Sequence, residues 1–346
     1  MTTLRVCGSQ RPKLTMRGRD SNRMSNAQER RKLLQRLTAC MIFIALFSTV
    51  LRAQQATKAD AAQYKVQFVN VEPDVKLEVL DWGGTGRALV FLSGLGLDAH
   101  EFDSFAPKFS PSYHVYAISR RGFGASSAPV PTKDNYSADR LGDDVLAVLD
   151  DLKIIRPVLV GHSIAGEELS SVASRYPEKV SGLIYLEAGY SHALYSPALG
   201  DMIIDAKDVQ HQLDLLFAAT LQSPSDFVNA EASVARFDQD LKALNKRMSL
   251  QPPPPPRPAN APPAPPILLA IVNGTQKYTA IQVPVLAIYR DSHSPGETAS
   301  AQADAFQSAI PQAWVVRIDH ADHFIFKSNE KQVIDEMNSF LTNLPQ

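Results

Sequence analysis

Cysteine is scarce in this chain and absent from most of its length. The 346 residues include two cysteines, Cys7 and Cys40, so the sequence after position 40 contains none. A disulfide framework, a thiolate metal site and a cysteine nucleophile are therefore excluded from that part of the chain. Its stability has to come from packing, for which the remaining length is sufficient.

Basic residues are depleted after the first part of the chain. Residues 1–53 hold 11 Lys and Arg against 2 Asp and Glu, whereas the rest holds 24 against 34. An acidic body gives no support to nucleic-acid binding. Within the basic part, a mainly apolar segment at 37–51 follows Arg30-Arg31-Lys32 and is short for a membrane span.

These features predict that residues 1–53 are a signal peptide or basic leader and that 54–63 are a linker. The protein is then expected to be exported, to the periplasm or to the medium, with no membrane contact in its mature form. The alternative is a protein anchored by an uncleaved N-terminal helix.

Short apolar runs alternate with amphipathic segments through the rest of the chain, residues 64–346. This alternation predicts an α/β fold with a mostly parallel, doubly wound sheet. A pair of glycines, Gly122 and Gly124, follows one strand, but a third glycine is missing, so a loop is favoured over a phosphate cradle. The predicted strands are 65–71, 76–82, 88–92, 114–118, 158–160, 180–186, 283–289 and 313–318; the predicted helices are 136–152, 164–175, 298–309 and 332–344.

The segment 156–187 has a serine at a strand-to-helix corner. Its predicted strand leads into Gly-His-Ser-Ile-Ala-Gly at 161–166. Small residues there permit the sharp turn that lifts a serine hydroxyl clear of the sheet. The helix N-terminus also leaves the N–H of Ile164 free to bind an oxyanion. We predict that Ser163 is a nucleophile; the alternative is a serine that only caps the helix.

A second candidate oxyanion donor lies in the loop Ser-Gly-Leu-Gly at 93–96, after the buried strand predicted at 88–92. One interpretation is a plain turn. In the other, glycine lets the backbone curl so that the N–H of Leu95 points toward Ser163, and Leu95 and Ile164 form an oxyanion hole.

Four segments of the chain together resemble the α/β-hydrolase superfamily, in its serine hydrolase and esterase type. They are 93–96, Arg-Gly-Phe-Gly-Ala-Ser at 121–126, the corner at 161–166, and Ala-Asp-His-Phe at 321–324. The resemblance implies an α/β-hydrolase fold and a Ser–His–acid triad that needs no cofactor and no metal. Ser93 and Ala165 depart from the family's usual histidine and glycine, but both keep the backbone role.

Residues 188–280 interrupt the alternation and are predicted to be a helical cap inserted after the sixth strand. Two helix-like stretches, at about 202–221 and 225–248, are followed by ten prolines within residues 252–266. Such a run favours an extended polyproline II strap. We interpret it as a spacer over the cap; a proline ligand for a partner protein is the alternative.

The general base is predicted to be His323, which follows the last strand and resembles the family's catalytic histidine in its setting. In this architecture that loop returns to the nucleophile's edge of the sheet. His320 is the rival among the eight histidines of the chain. Asp319-His320 together with Asp322-His323 could suggest a metal site, but nothing else nearby in the sequence completes one.

Two carboxylates are candidates for the acid that orients the base. Glu187 ends the strand after the corner helix, in a segment that resembles haloalkane dehalogenases. Asp291 follows the next strand, which is the commoner family position, but it comes about two residues early. We prefer Glu187 and keep Asp291 as the alternative.

The sequence thus predicts a serine hydrolase that cleaves a small or medium carboxylic ester, a small-molecule substrate, through an acyl-enzyme intermediate. Hydrolysis of carbon–carbon bonds, lactones or amides by the same triad is an alternative. A catalytically silent binding protein of the cell envelope is another, because a fold does not prove a function.

Overall fold

A computed structural model describes residues 64–219, 221–250, 262–291 and 298–345 of the protein. The predicted leader 1–53, the linker 54–63 and most of the proline strap lie outside the described residues. No helix within the described ranges combines the length and the hydropathy that a bilayer crossing requires.

The described residues contain eight strands joined in one sheet, in the spatial order first, second, fourth, third, fifth, sixth, seventh, eighth. The first two pairings are antiparallel and all the others are parallel. In chain order the strands are β1 (Lys65–Glu72), β2 (Val75–Gly83), β3 (Ala88–Leu92), β4 (His114–Ile118), β5 (Val158–His162), β6 (Gly182–Leu186), β7 (Val285–Arg290) and β8 (Trp314–Ile318).

Helices connect the parallel strands and cover both faces of the sheet. Short 3₁₀ turns at Ala99–Phe102 and Ala106–Phe109 follow β3. Another, Ser163–Ala165, joins β5 to the next helix. The helices are α1 (Ala138–Asp151), α2 (Gly166–Arg175), α3 (Met202–Ala218), α4 (Pro224–Leu250), α5 (Pro266–Gly274), α6 (Thr298–Ala309), α7 (Ile325–Ser328) and α8 (Glu330–Asn343).

Two apolar layers form the core, one on each face of the sheet. On one face, α1, α2 and α6 pack with residues such as Leu149, Leu169 and Phe306. On the other, the 3₁₀ turns after β3 meet α8, with Phe102 and Phe340 among the buried side chains. Strands β5 and β6 are buried along their whole length. Their continuous apolar sequences follow from contact with helices on both sides.

This architecture is the predicted α/β-hydrolase fold with a mostly parallel, doubly wound sheet, and the prediction of fold class is confirmed. The carboxyl ends of β3, β5, β6, β7 and β8 all lie at one edge of the sheet. Loops at that edge carry the ligand-binding groups in open α/β sheets.

Three helices, α3, α4 and α5, lie between β6 and β7, inside the predicted insertion 188–280. The sequence pattern does not predict α5, and its assignment of Pro266 to the extended strap is wrong, because Pro266 is the first residue of this helix. Proline is well suited to the first position of a helix, because its fixed φ matches and its missing N–H has no partner there anyway. That these helices cap the strand ends stays a prediction.

The C-terminal helix predicted over 332–344 is present as α8, with a separate short turn, α7, before it. Asn329 stands between the two with φ -125° and ψ 39°, which is not a helical conformation. The helical path is therefore interrupted at this residue, which follows α7 and the loop of the predicted base His323.

Candidate active site

The corner between β5 and α2 holds Ser163 in a backbone conformation that side chains rarely adopt. Its φ is 54°, in the left-handed region. Such strain costs about 1–3 kcal/mol and concentrates at functional sites. A Cβ added at Gly166 would lie 2.0 Å from the backbone oxygen of Ala188, so the packing at this corner requires glycine there.

His323 reaches this serine from the loop between β8 and α7. Its Nε2 lies 2.9 Å from the Oγ of Ser163. The imidazole is 40% exposed, so a substrate and a water molecule have access to it.

Glu187 directly follows β6 and faces the other side of the same imidazole. Its Oε2 lies 3.3 Å from Nδ1 of His323. A carboxylate only accepts hydrogen bonds, so Nδ1 of His323 carries the proton and Nε2 is left to accept from the serine hydroxyl. The φ of Glu187 is 49°, a second left-handed residue at the site.

Glu187 is fully buried, yet its carboxylate is satisfied. The hydroxyl of Tyr190 donates to Oε2 at 2.9 Å, and the backbone N–H of Arg290 donates to Oε1 at 2.6 Å. The guanidinium Nε of Arg290 lies 3.5 Å from Oε2. These partners offset the cost of burying a charge. Burial, together with the neighbouring Glu187, raises the pKa of Tyr190, which therefore stays a neutral donor.

The rival residues lie elsewhere. Asp291 uses its backbone N–H to bond the oxygen of Ile318, and among the described residues its carboxylate has no hydrogen bond or ion pair with His323. His320 is exposed to solvent. Within the described ranges, no group of three or more His, Cys, Asp and Glu side chains is arranged to hold a metal ion.

The loop at 93–96 is oriented by a buried arginine. Arg120 donates to the backbone oxygens of Ser93 at 2.9 Å and Gly94 at 3.4 Å, and it pairs with Glu168 at 2.5 Å. The peptide between Gly94 and Leu95 is trans, so its N–H points opposite to its carbonyl, away from Arg120. Among the described residues this Leu95 N–H has no backbone acceptor.

Ile164 is the second residue of the turn Ser163–Ala165, at a helix N-terminus, where backbone N–H groups are left unpaired. Its side chain packs in a small apolar cluster with Ala270 and Ile271 of α5, and Leu95 packs against the same cluster. The two candidate oxyanion donors therefore belong to neighbouring backbone segments, whose side chains contact α5.

Several residues of the site have no evident signal in the sequence. Tyr190, in the loop after β6, and Arg290, the last residue of β7, both contact the carboxylate of Glu187. His192 places its Nε2 3.4 Å from the backbone oxygen of Ser163. Burial lowers the pKa of His192 to about 4, so it is a neutral imidazole beside Ser163 at ordinary pH. Only the fold brings these side chains together, since they come from separate strand ends.

The chain matches the family model described as "alpha/beta hydrolase fold" over residues 87–330, well over half of its length. Solved structures show the same fold. The bromoperoxidase from Bacillus anthracis superposes with a TM-score of 0.55 at 19% identity, covering 81% of this chain and all of that one. At these identities the likeness concerns the fold alone.

Similar sequences carry several hydrolase names. The 3-oxoadipate enol-lactonase 2 of Acinetobacter baylyi is 35% identical over 112 residues, which are 32% of this chain and 41% of the relative. The 2-(acetamidomethylene)succinate hydrolase of Mesorhizobium japonicum is 22% identical over 267 residues, 75% of this chain and 89% of that protein. The chain spans less than half of the length of the first of these relatives. On the family match and the fold together, the chain belongs to the α/β-hydrolase fold family.

Proposed function

We propose that the protein is a serine hydrolase that cleaves small or medium carboxylic esters through an acyl-enzyme intermediate on Ser163. The observation that carries this proposal is the pair of contacts made by the His323 ring. Its Nε2 lies 2.9 Å from the Oγ of Ser163, and its Nδ1 lies 3.3 Å from the Oε2 of Glu187. Serine is a weak nucleophile unless a neighbouring base takes its proton, and this series supplies the base and its orienting acid.

Acylation begins when the Oγ of Ser163 attacks the ester carbonyl and His323 Nε2 takes the hydroxyl proton. The imidazolium that forms is stabilised by the buried carboxylate of Glu187. The tetrahedral intermediate then collapses, the bond to the alkoxide breaks, and His323 returns its proton to the departing alcohol. Ser163 is left carrying the acyl group as an ester.

Deacylation repeats these steps with water. His323 takes a proton from a water molecule, whose oxygen attacks the acyl carbonyl. The bond to Ser163 breaks and Oγ recovers the proton from His323, so the carboxylic acid leaves and the enzyme is regenerated. The 40% exposure of the His323 side chain is compatible with water entry from solvent.

In both halves the negative charge on the carbonyl oxygen is held by the N–H groups of Leu95 and Ile164. Support comes from the orientation of the Gly94–Leu95 peptide and from the free helix N-terminus at Ile164. One such donor contributes about 10²–10³ in kcat. Because these donors are backbone groups, Ser93 and Ala165 do not weaken them.

A lactone is a second candidate substrate, favoured by the relative named 3-oxoadipate enol-lactonase 2. A lactone is a cyclic ester, and the same residues would open it, with the alcohol remaining on the product. The two candidates differ in the shape that the site must accept and not in the chemistry.

A panel of p-nitrophenyl esters of increasing acyl length, with a panel of lactones followed by pH-stat, tests the proposal. We expect turnover of at least one class, and its loss by about 10³-fold or more in Ser163→Ala. Folded protein that turns over neither class, and that a fluorophosphonate does not label at Ser163, would instead favour a binding protein.

We also propose that the protein is exported, on the sequence of residues 1–53. N-terminal sequencing of the mature protein from a secreting host tests this proposal. A start beyond the apolar segment 37–51 supports cleavage of a signal, and an intact leader on membrane-associated protein would support the anchored alternative.

A further inference from the structure

A buried acid–imidazole pair lies directly behind the nucleophile and takes no part in the proposed chemistry. Glu101 comes from the 3₁₀ turn after β3, and His162 ends β5, next to Ser163. Oε1 of Glu101 lies 2.7 Å from Nδ1 of His162, and each side chain is 1% exposed. A pair this deeply buried is weak evidence for stability, since an apolar replacement is often neutral or better. Stability alone is therefore a poor explanation for the presence of this pair.

Each end of the pair holds a different part of the site. Oε2 of Glu101 accepts the backbone N–H of Gly94 at 2.9 Å, in the loop that carries Leu95. At the other end, Nε2 of His162 donates to the backbone oxygen of His323 at 2.9 Å. The pair therefore links the candidate oxyanion loop to the residue that is the proposed base.

The ring of His162 also supports the base loop by packing. Its centroid lies 4.8 Å from the ring of His323 and 5.2 Å from the rings of both Phe324 and Phe326. A Cβ on Gly94 would lie 2.9 Å from Nδ1 of His162, so the loop approaches the imidazole as closely as glycine permits. A shift of His162 would thus move the loop and the base together.

The hydrogen positions in this pair follow from its acceptors. The backbone oxygen of His323 can only accept, so Nε2 of His162 carries a proton.

We infer that Glu101 and His162 are positioning residues that fix the Leu95 loop and the His323 backbone at the spacing needed for attack by Ser163. This inference rests on the proposed function. It differs from a structural role because it predicts an effect on kcat at constant fold. A misplacement of about 1 Å at a reacting group costs about 10²-fold in rate.

Two substitutions at Glu101 separate the effect of its polar contacts from the effect of the volume that its side chain fills. In Glu101→Gln the amide oxygen can still accept from Gly94, and the amide nitrogen occupies the position of Oε1 next to Nδ1 of His162, so a polar group remains at both contacts. In Glu101→Leu the volume is similar but both contacts are lost. We expect Glu101→Gln to keep kcat within about threefold, and Glu101→Leu to lower kcat by about 10–100-fold with KM little changed.

A matched control comes from the opposite edge of the sheet. Asp81 lies 2.8 Å from Nε2 of His114 and accepts the backbone N–H of Gly83 at 2.8 Å, so it makes the same two kinds of contact. Asp81→Leu should lower stability while kcat per folded molecule is unchanged. His162→Phe approaches the pair from its other member, since it keeps the ring packing and removes both nitrogens; we expect the same loss in kcat as for Glu101→Leu.

The kinetics are measured on the full chain with the best ester of the panel, and folded protein is counted by its cooperative unfolding transition. The inference is overturned if Glu101→Leu and His162→Phe keep the wild-type kcat, or if Asp81→Leu loses as much kcat as they do. If Glu101→Leu does not fold, His162→Phe alone decides by the same criterion. The wild-type protein is measured first. If it turns over neither esters nor lactones, the proposed function is overturned instead.

Discussion

Glu167, the second residue of α2, makes the stability of the fold depend on pH in a direction that can be measured. Its side chain is fully buried and accepts a hydrogen bond from Oγ1 of Thr275 at 2.6 Å. Burial, with a smaller contribution from the neighbouring Glu168, raises its pKa to about 8. In the unfolded chain a glutamate titrates near about 4.3.

Between these two values the native state binds one more proton than the unfolded state. The free energy of unfolding therefore falls as the pH rises through this window, by about 1.4 kcal/mol for each pH unit. Below the unfolded value the contribution of Glu167 is complete, and it is lost progressively as the pH approaches the folded value.

Glu167→Gln removes the titration and keeps an acceptor for Thr275. We expect the stability of the variant relative to wild type to increase by about 2 kcal/mol between about pH 6 and about pH 7.5. Urea unfolding at a series of pH values measures this difference, and His192 does not disturb it because both proteins contain it. Glu178→Gln, on the exposed surface, controls for the loss of one negative charge.

Parallel stability curves for wild type and Glu167→Gln would refute the reasoning. They would mean that the carboxyl group is not held neutral by its surroundings. A difference that shrinks as the pH rises would refute it equally, since the sign would then be reversed.

Two further predictions concern the acid and the corner. Glu187→Gln should lower kcat by about 10³–10⁴-fold, whereas Asp291→Asn should change it less than about threefold, measured with the same ester; the reverse ranking would move the acid to Asp291. Gly166→Ala should lower the melting temperature more than Gly161→Ala, because the new Cβ would meet the Ala188 oxygen at 2.0 Å in the first and a flexible leucine side chain at 2.7 Å in the second. Equal melting temperatures would mean that the backbone near Ala188 yields easily.

Much of the fold could be predicted because its signals are local. The apolar strands β3, β5 and β6 stand out from their flanking turns, and helix α1 begins at Ser137, whose side chain accepts from the N–H of Arg140 as a cap. The glycines around Ser163 mark the corner in the same way. Helix α5 could not be predicted from the sequence. It is short and apolar, so it has no amphipathic periodicity, and the prolines before it hide its first residue.

The contacts that distinguish Glu187 from Asp291 could not be predicted, because they join segments that are distant in the sequence. Glu187 and Asp291 both follow parallel strands at one edge of the sheet, so sequence order alone leaves the choice open. The contacts from Tyr190 and Arg290 favour Glu187, and they depend on how the loops after β6 and β7 fold over each other. The Glu101–His162 pair is likewise a contact between distant segments, and no sequence motif indicates it.

The most direct test of a Ser163 hydroxyl activated by His323 is the rate of covalent labelling by a fluorophosphonate, followed by intact mass and peptide mapping. We expect wild-type protein to gain one phosphonyl group, located on Ser163, and His323→Gln to label slower by about 10³-fold or more while still folded. Folded wild-type protein that remains unlabelled, or a His323→Gln variant that labels as fast as wild type, would contradict this mechanism.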